Sequence, residues 1–476
     1  MSAHVGANPE VLANRGMNGL ANFRIIPRIE TYPRIVEFVQ KFAGKVLILA
    51  LFGAGLHFAT EDWVPLTVCL ALTTFWPSRR RLLVTVATLL FTFVVPWTKF
   101  PHPLYTSTLI LFVIVTGALL FWTAVEWPRS LVGRHPIVFL LAGYALLVVI
   151  AAYFPNTTRW YLTVWDFTYT FGIYLWFIGY SLLDRRSADR DNFSLQLGTY
   201  RPFWGSTATP FPKGASYLRR IEAKDAHQLA VVQLKGLKLL AWSLLISVFS
   251  KYFGFFLHDY LAIPTFNQTL YHSVMRAPYP WYVCWASLAS AFLEDILAMC
   301  VWGHRFIACC RMAGFNALRN TYRPLSSRSI SEFWNRYYFY FKELLAEFFF
   351  YPTFVRVFKN HRKLRLVTAT FAAAFFGNIF YHFCRDLNFI ASLGLWKAIT
   401  GFHVYAFYCF LLATGISISQ LRVSRPKPSG FLRARVAPVI CVALFYMLIN
   451  IFAYLGRDYP ISEHFRYFFH LFEFTS

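Results

Sequence analysis

Eleven apolar runs, most of them close to 20 residues, constrain this chain more than any other feature. They cover roughly 43–60, 63–77, 82–98, 105–126, 136–154, 159–183, 235–256, 281–303, 364–384, 398–418 and 436–455. About 20 mostly apolar residues make a helix long enough to cross the hydrocarbon core of a bilayer. Lipid offers the backbone no hydrogen-bond partner, so only helices and closed barrels span it. Of the 476 residues 57% are hydrophobic and 14% charged, too few polar groups to clothe a soluble protein of this size. The expected fold class is an all-α polytopic membrane protein with about 11 transmembrane helices plus interfacial or re-entrant helices. The second run is short enough to be tilted or re-entrant.

A formal net charge of +24 raises the possibility of a nucleic-acid partner. The basic residues instead stand in short clusters between apolar runs, which fits loops against an anionic leaflet and no nucleic acid. Clusters come after every even-numbered run: Arg79-Arg80-Arg81; Arg129 and Arg134; Arg185, Arg186, Arg190, Arg219 and Arg220; Arg305, Arg311 and Arg319; Arg422, Arg425, Lys427, Arg433 and Arg435. The intervening loops, such as Thr60-Glu61-Asp62, are acidic or neutral. The pattern predicts a cytoplasmic N-terminus and an exoplasmic C-terminus.

The chain reads as five segments. Residues 1–42 form a cytoplasmic arm without a secretory signal, carrying Arg15 and Arg24, with an interfacial helix around Tyr32 to Phe42. Residues 43–183 hold the N-terminal transmembrane helices. Residues 184–234 make a long cytoplasmic loop rich in Gly, Pro and Ser, of the kind that persists when it is functional. Residues 235–455 are the core, and 456–476 a tail. The eight cysteines show no C-x-x-C spacing and no metal pattern. Cys309-Cys310 is expected in a basic loop as a reduced pair.

Polar groups inside apolar runs are costly and therefore functional candidates. They are Asp166, Glu294, Asp295, Asn378, His382 and His403. The structural alternative is an interhelical hydrogen bond, favoured for His403, and pairing with loop arginines for Asp166 and Glu294. Asn378 and His382 lie four apart, so one helix face carries both. A histidine desolvated in a bilayer favours the neutral form. Neutral imidazole can accept a proton from an attacking hydroxyl.

The stretch from Leu293 to His403 carries a resemblance. It opens with Glu294-Asp295-Ile-Leu-Ala-Met. It continues through Asn320-Thr-Tyr-Arg-Pro-Leu-Ser-Ser-Arg-Ser-Ile-Ser-Glu-Phe-Trp-Asn-Arg and reaches Phe380-Tyr381-His382-Phe383 after a hydrophobic span. These residues resemble the membrane-bound O-acyltransferase (MBOAT) superfamily, most closely its bacterial branch that includes alginate acetylases. The chain departs from the family where Tyr338 replaces a histidine and where Tyr-His-Phe replaces Trp-His-Gly. The resemblance implies transfer of an acetyl or other short acyl group from a cytosolic thioester to a hydroxyl on a glycan, lipid or secreted partner. The donor would be acyl-CoA or an acyl carrier protein, with no bound cofactor and no metal. His382 would be the general base, with Asn378 and Tyr338 beside it. Asn320, Arg323, Arg328, Trp334, Arg336, Glu294 and Asp295 would shape the substrate path, the arginines holding donor phosphates. The implied partners are membrane lipids, the thioester donor and an exoplasmic acyl-transfer or glycan-assembly protein. The rival classes are a transporter or flippase for an anionic lipid or glycan, and a non-catalytic MBOAT-like scaffold.

Overall fold

The computed structural model describes residues 25–99, 101–185, 193–206, 209–422, 430–453 and 459–473. Arg15 and Arg24 of the arm, Arg186 and Arg190, and Arg425 with Lys427 lie outside them. The described residues are helical, with a single isolated β-bridge between Glu222 and Phe315. Among the described residues seven helices are long and apolar enough to cross a membrane: Pro103–Glu126, Pro136–Tyr153, Ala226–Tyr260, Trp281–Met312, Arg362–Arg385, His403–Arg422 and Leu432–Asn450. The other four apolar runs also form helices, Phe42–His57, Trp63–Phe75, Arg80–Lys99 and Tyr161–Asp184. Hydroxyls inside them bond their own helix, as Thr67 does to the carbonyl of Trp63 at 2.7 Å and Thr168 to that of Val164 at 2.7 Å. Such a bond removes the penalty of a bare hydroxyl in an apolar setting.

Two compact units divide the chain. The first takes residues up to Leu141, Ile173–Ile246 and Cys300–Tyr322. In it the helices Phe42–His57, Trp63–Phe75, Arg80–Lys99 and Pro103–Glu126 pack each against the next. Much of the described part of the expected long loop is packed into the core. Phe203, Trp204 and Phe211 are buried, the Trp204 indole donates to the Phe211 carbonyl at 2.7 Å, and Thr88 donates to the Gly198 carbonyl at 3.0 Å. Glu222 pairs with Arg80 at 3.5 Å and Arg81 at 3.0 Å, pinning the end of this segment.

One expectation fails here. Cys309 and Cys310 are not in a loop; the helix Trp281–Met312 runs through them and buries both. The flanking Arg311 that made the stretch look like a loop is itself buried, its Nε donating to the Ala317 carbonyl at 2.9 Å.

The second unit takes Ala142–Gly172, Ser247–Met299 and Arg323–Ser476. Its core gathers Leu270, Cys284, Leu288, Val404, Tyr467 and Leu471. The helix Phe266–Val274 opens on a capping box between Thr265 and Gln268 and packs on Ile461–His470. The described tail therefore folds back: the Trp285 indole donates to the Leu471 carbonyl at 2.8 Å, and His470 meets the Tyr279 carbonyl at 2.7 Å. Four π-helical segments occur among the described residues, Phe255–Tyr260, Ala346–Phe350, Ala372–Gly377 and Leu432–Val436, all within this unit. A π-turn shifts the helical register of the residues after it, and such turns recur at functional sites.

Candidate functional site

The helix Arg362–Arg385 begins with Arg362, Lys363 and Arg365 and changes to a π-turn at Ala372–Gly377. It resumes as α-helix from Asn378 to Arg385. This π-turn packs on another, Ala346–Phe350. Gly377 makes the approach possible: a Cβ there would sit 2.6 Å from the Phe349 ring.

Asn378 is 1% exposed, and its Oδ1 accepts the Tyr405 hydroxyl at 3.3 Å. The amide's other end, Nδ2, is buried with no hydrogen-bond partner. An orphaned buried amide is expensive, and native structures keep few of them.

His382 lies one turn further and is half-buried. Its ring centroid is 4.8 Å from Tyr405, 5.2 Å from Tyr381 and 6.0 Å from Phe341. Tyr405 thus joins the two expected residues, bonding Asn378 and packing on His382. Among the described residues the structure gives His382 no hydrogen bond and no ion pair. The fold holds its imidazole by ring packing and leaves both nitrogens to other chemistry.

Phe341, 3% exposed, is the hub of the surrounding wall. It packs on Trp334 at 6.0 Å, Tyr338 at 5.2 Å and Tyr381 at 4.6 Å as well as on His382. Tyr338 and Trp334 are half-buried, Tyr338 at the break between the helices Ile330–Tyr337 and Phe339–Leu345.

The Ser-Ile-Ser-Glu-Phe-Trp segment is occupied with its own fold. Ser329 caps the helix, accepting the Glu332 amide at 3.1 Å, while the Glu332 carboxylate takes the Arg328 amide at 2.7 Å. Arg336 pairs with Glu332 at 2.6 Å and donates to Ser326 Oγ at 2.6 Å. Phe333 stacks on Tyr446 at 3.9 Å, and the Tyr446 hydroxyl donates to the Ile330 carbonyl at 2.9 Å. Arg323 and Arg328 are exposed, Arg323 in the left-handed region at φ 48°. Asn320 belongs to the first unit, buried against Gly303, where a Cβ would lie 2.8 Å from its Nδ2.

Glu294 and Asp295 find polar partners outside segment 315–336. Asp295 is exposed and accepts from Asn450 at 3.4 Å. Adjacent helix positions diverge by about 100°, so only one of the pair can turn inward. Glu294 is half-buried and meets His258 Nε2 at 3.0 Å, and His258 Nδ1 meets the Ile263 carbonyl at 2.7 Å. The carbonyl can only accept, so Nδ1 carries a hydrogen. The Nε2–carboxylate contact then requires one further proton, on either partner. His403 has a structural place, with Nδ1 on the Thr400 carbonyl at 2.8 Å and Nε2 accepting the Ile461 amide at 3.3 Å.

Sequence reasoning missed Tyr405, Phe341 and His258. Tyr405 and Phe341 are ordinary aromatics in aromatic-rich runs and carry no linear signal. His258 stood at the edge of the seventh run, where charge is unremarkable. No protein-family model and no curated protein matches the chain.

Proposed function

We propose that the protein is a membrane-embedded acyltransferase of MBOAT type with His382 as its general base. The observation that carries the reading is an imidazole held only by aromatic rings, one turn from a buried amide with an unused end. In the proposed reaction a hydroxyl attacks the carbonyl of an acyl thioester. The hydroxyl proton passes to His382, an acyl–oxygen bond forms and the acyl–sulfur bond breaks. The imidazolium returns its proton to the departing thiolate. The Asn378 amide is the nearby group able to donate to the oxygen on which charge develops. The donor is acyl-CoA or an acyl carrier protein, and the acceptor a hydroxyl on a glycan, lipid or secreted partner.

The proposal includes eleven membrane crossings, the seven long apolar helices and the four other helical runs, with the N-terminus cytoplasmic in a bacterial inner membrane. It rests there on the alternation of basic loops. The test is acceptor-dependent release of free thiol from acyl-CoA and acyl carrier protein by the purified protein. No release above a His382→Phe control with any glycan or lipid hydroxyl would sink it.

A second reading, transport of an anionic lipid or glycan, is favoured by the His258–Glu294 pair, which holds one proton between two apolar helices. Proton-coupled flux into proteoliposomes, lost in Glu294→Gln, distinguishes it.

A further inference from the structure

The turn between the helices Pro103–Glu126 and Pro136–Tyr153 borders an open hollow of about 480 Å³ in the first unit. Ala124, Val125 and Pro128 form its apolar side. Arg134, His135 and Arg185 form the other, and among the described residues no carboxylate lines it. The Arg185 guanidinium is fixed on the wall by two backbone carbonyls, donating to Leu182 at 3.0 Å and to Gly133 at 2.9 Å. These bonds orient the charge on the wall. Arg134 and His135 are exposed, and neither makes an ion pair among the described residues. Among the described residues, the two acids nearest in sequence lie elsewhere. Glu126 is exposed and outside the lining, and the Asp184 carboxylate is taken up by Ser216, through its amide at 2.9 Å and its hydroxyl at 2.5 Å. The 18-residue helix Pro136–Tyr153 starts at the same wall and adds the positive end of its dipole.

An apolar track leads to the hollow. Phe112, Val115, Leu119, Trp122 and Val125 recur at three- and four-residue steps on one face of the helix Pro103–Glu126, all exposed, and Val125 itself lines the hollow. Trp122 and Trp127, which flank the lining residues Ala124 and Val125 in sequence, are exposed and are the residue type that marks the level of lipid headgroups. A ligand matching both surfaces has an anionic head and a long apolar tail. We infer that the hollow binds the phosphate of an anionic membrane lipid between Arg134, His135 and Arg185, with an acyl chain along the Phe112–Val125 face.

Diffuse attraction of acidic lipid to a basic loop would be spread over many residues, whereas a built site saturates and depends on named side chains. The test is native mass spectrometry of the full chain, titrated in detergent with phosphatidylglycerol or phosphatidylcholine. A juxtamembrane cation contributes about a five-fold change in anionic-lipid affinity. Arg134→Gln should weaken the tightest phosphatidylglycerol site about five-fold, and adding Arg185→Gln should weaken it further, with phosphatidylcholine binding unchanged. If the double variant unfolds, Arg134→Gln alone decides, since its side chain is exposed. Equal binding of the two lipids, or an Arg134→Gln protein that binds phosphatidylglycerol as the wild type does, overturns the inference. Sodium phosphate and glycerol 3-phosphate are added as competitors. Failure to displace the lipid supports the assignment, and displacement as effective as by phosphatidylglycerol overturns it in favour of a soluble phosphate site.

Discussion

His382→Phe separates a catalytic histidine from a structural one. The wild-type imidazole makes no hydrogen bond within the described fold and touches three rings, Tyr405, Tyr381 and Phe341. Aromatic pairs of this kind contribute about 0.5–1.5 kcal/mol each beyond their burial, so alanine would forfeit roughly 1.5–4.5 kcal/mol of packing. Phenylalanine keeps the ring and loses only nitrogens that the fold does not use. Its effect on stability should therefore fall within about 1 kcal/mol, the range of volume-conserving swaps. Activity should fall by about 10²–10⁴, the usual contribution of a general base, which corresponds to roughly 2.7–5.5 kcal/mol of barrier. The assays are kcat/KM for thiol release at matched protein and thermal unfolding in the same detergent, across wild type, His382→Phe and His382→Ala. A His382→Phe protein with activity within about three-fold of wild type would refute the role of the imidazole. A large loss of Tm in the same variant would instead mean that the histidine is a structural partner.

Three further outcomes are expected. Asn378→Leu removes a buried Nδ2 that has no partner but leaves the buried Tyr405 hydroxyl without its acceptor, each worth about 1–3 kcal/mol, so Tm should stay near the wild-type value while activity falls; parallel losses of both would show that the amide serves the fold. Gly377→Ala drives a Cβ to 2.6 Å from the Phe349 ring and should cost about 1–3 kcal/mol in thermal unfolding, with Phe349→Leu restoring most of it. His464 is buried, and burial first, then the nearby His403, holds its pKa below the usual 6.5 against the Ile451 carbonyl and Glu463, which raise it. The unfolded chain then binds the proton more readily, so this contribution is intact above pH 6.5 and is lost as pH falls below it. Wild type should lose more Tm between pH 7.5 and about 5.5 than His464→Gln does.

How legible these features were depends on the range of the interactions behind them. All eleven apolar runs lie on helices because a chain without water can satisfy its backbone in almost no other way. Helix ends were less legible. The tenth run was expected from 398, but the helix starts at His403, after a separate short helix Leu395–Gly401. Asn378 and His382 were found because a polar residue in an apolar span is conspicuous by itself. Tyr405 and Phe341 were not, since their importance exists only after distant segments meet. The π-turn at Ala372–Gly377 left no trace either, because an apolar run has the same composition in either register. Charge misled at Arg311, which reads as a loop residue until its bond to the Ala317 carbonyl is seen.

The Ser-Ile-Ser-Glu-Phe-Trp part of the acyltransferase resemblance and the residue that would carry the chemistry therefore do different work in this structure. Ser329, Glu332 and Arg336 spend their polar groups on capping and on one another, and Phe333 is locked against Tyr446. The face that this scaffold presents toward His382 is apolar: the helix Ile330–Tyr337 ends at Tyr338, and the next one sets Phe341 against the imidazole. A substrate reaching His382 would meet the rings of Tyr405, Tyr381 and Phe341, with the buried amide of Asn378 one turn away. Such walls exclude water, which matters to a thioester that hydrolysis would otherwise consume. Substitutions within Ser-Ile-Ser-Glu should then act through folding, lowering Tm and activity together, whereas substitutions at His382 and Asn378 should separate the two.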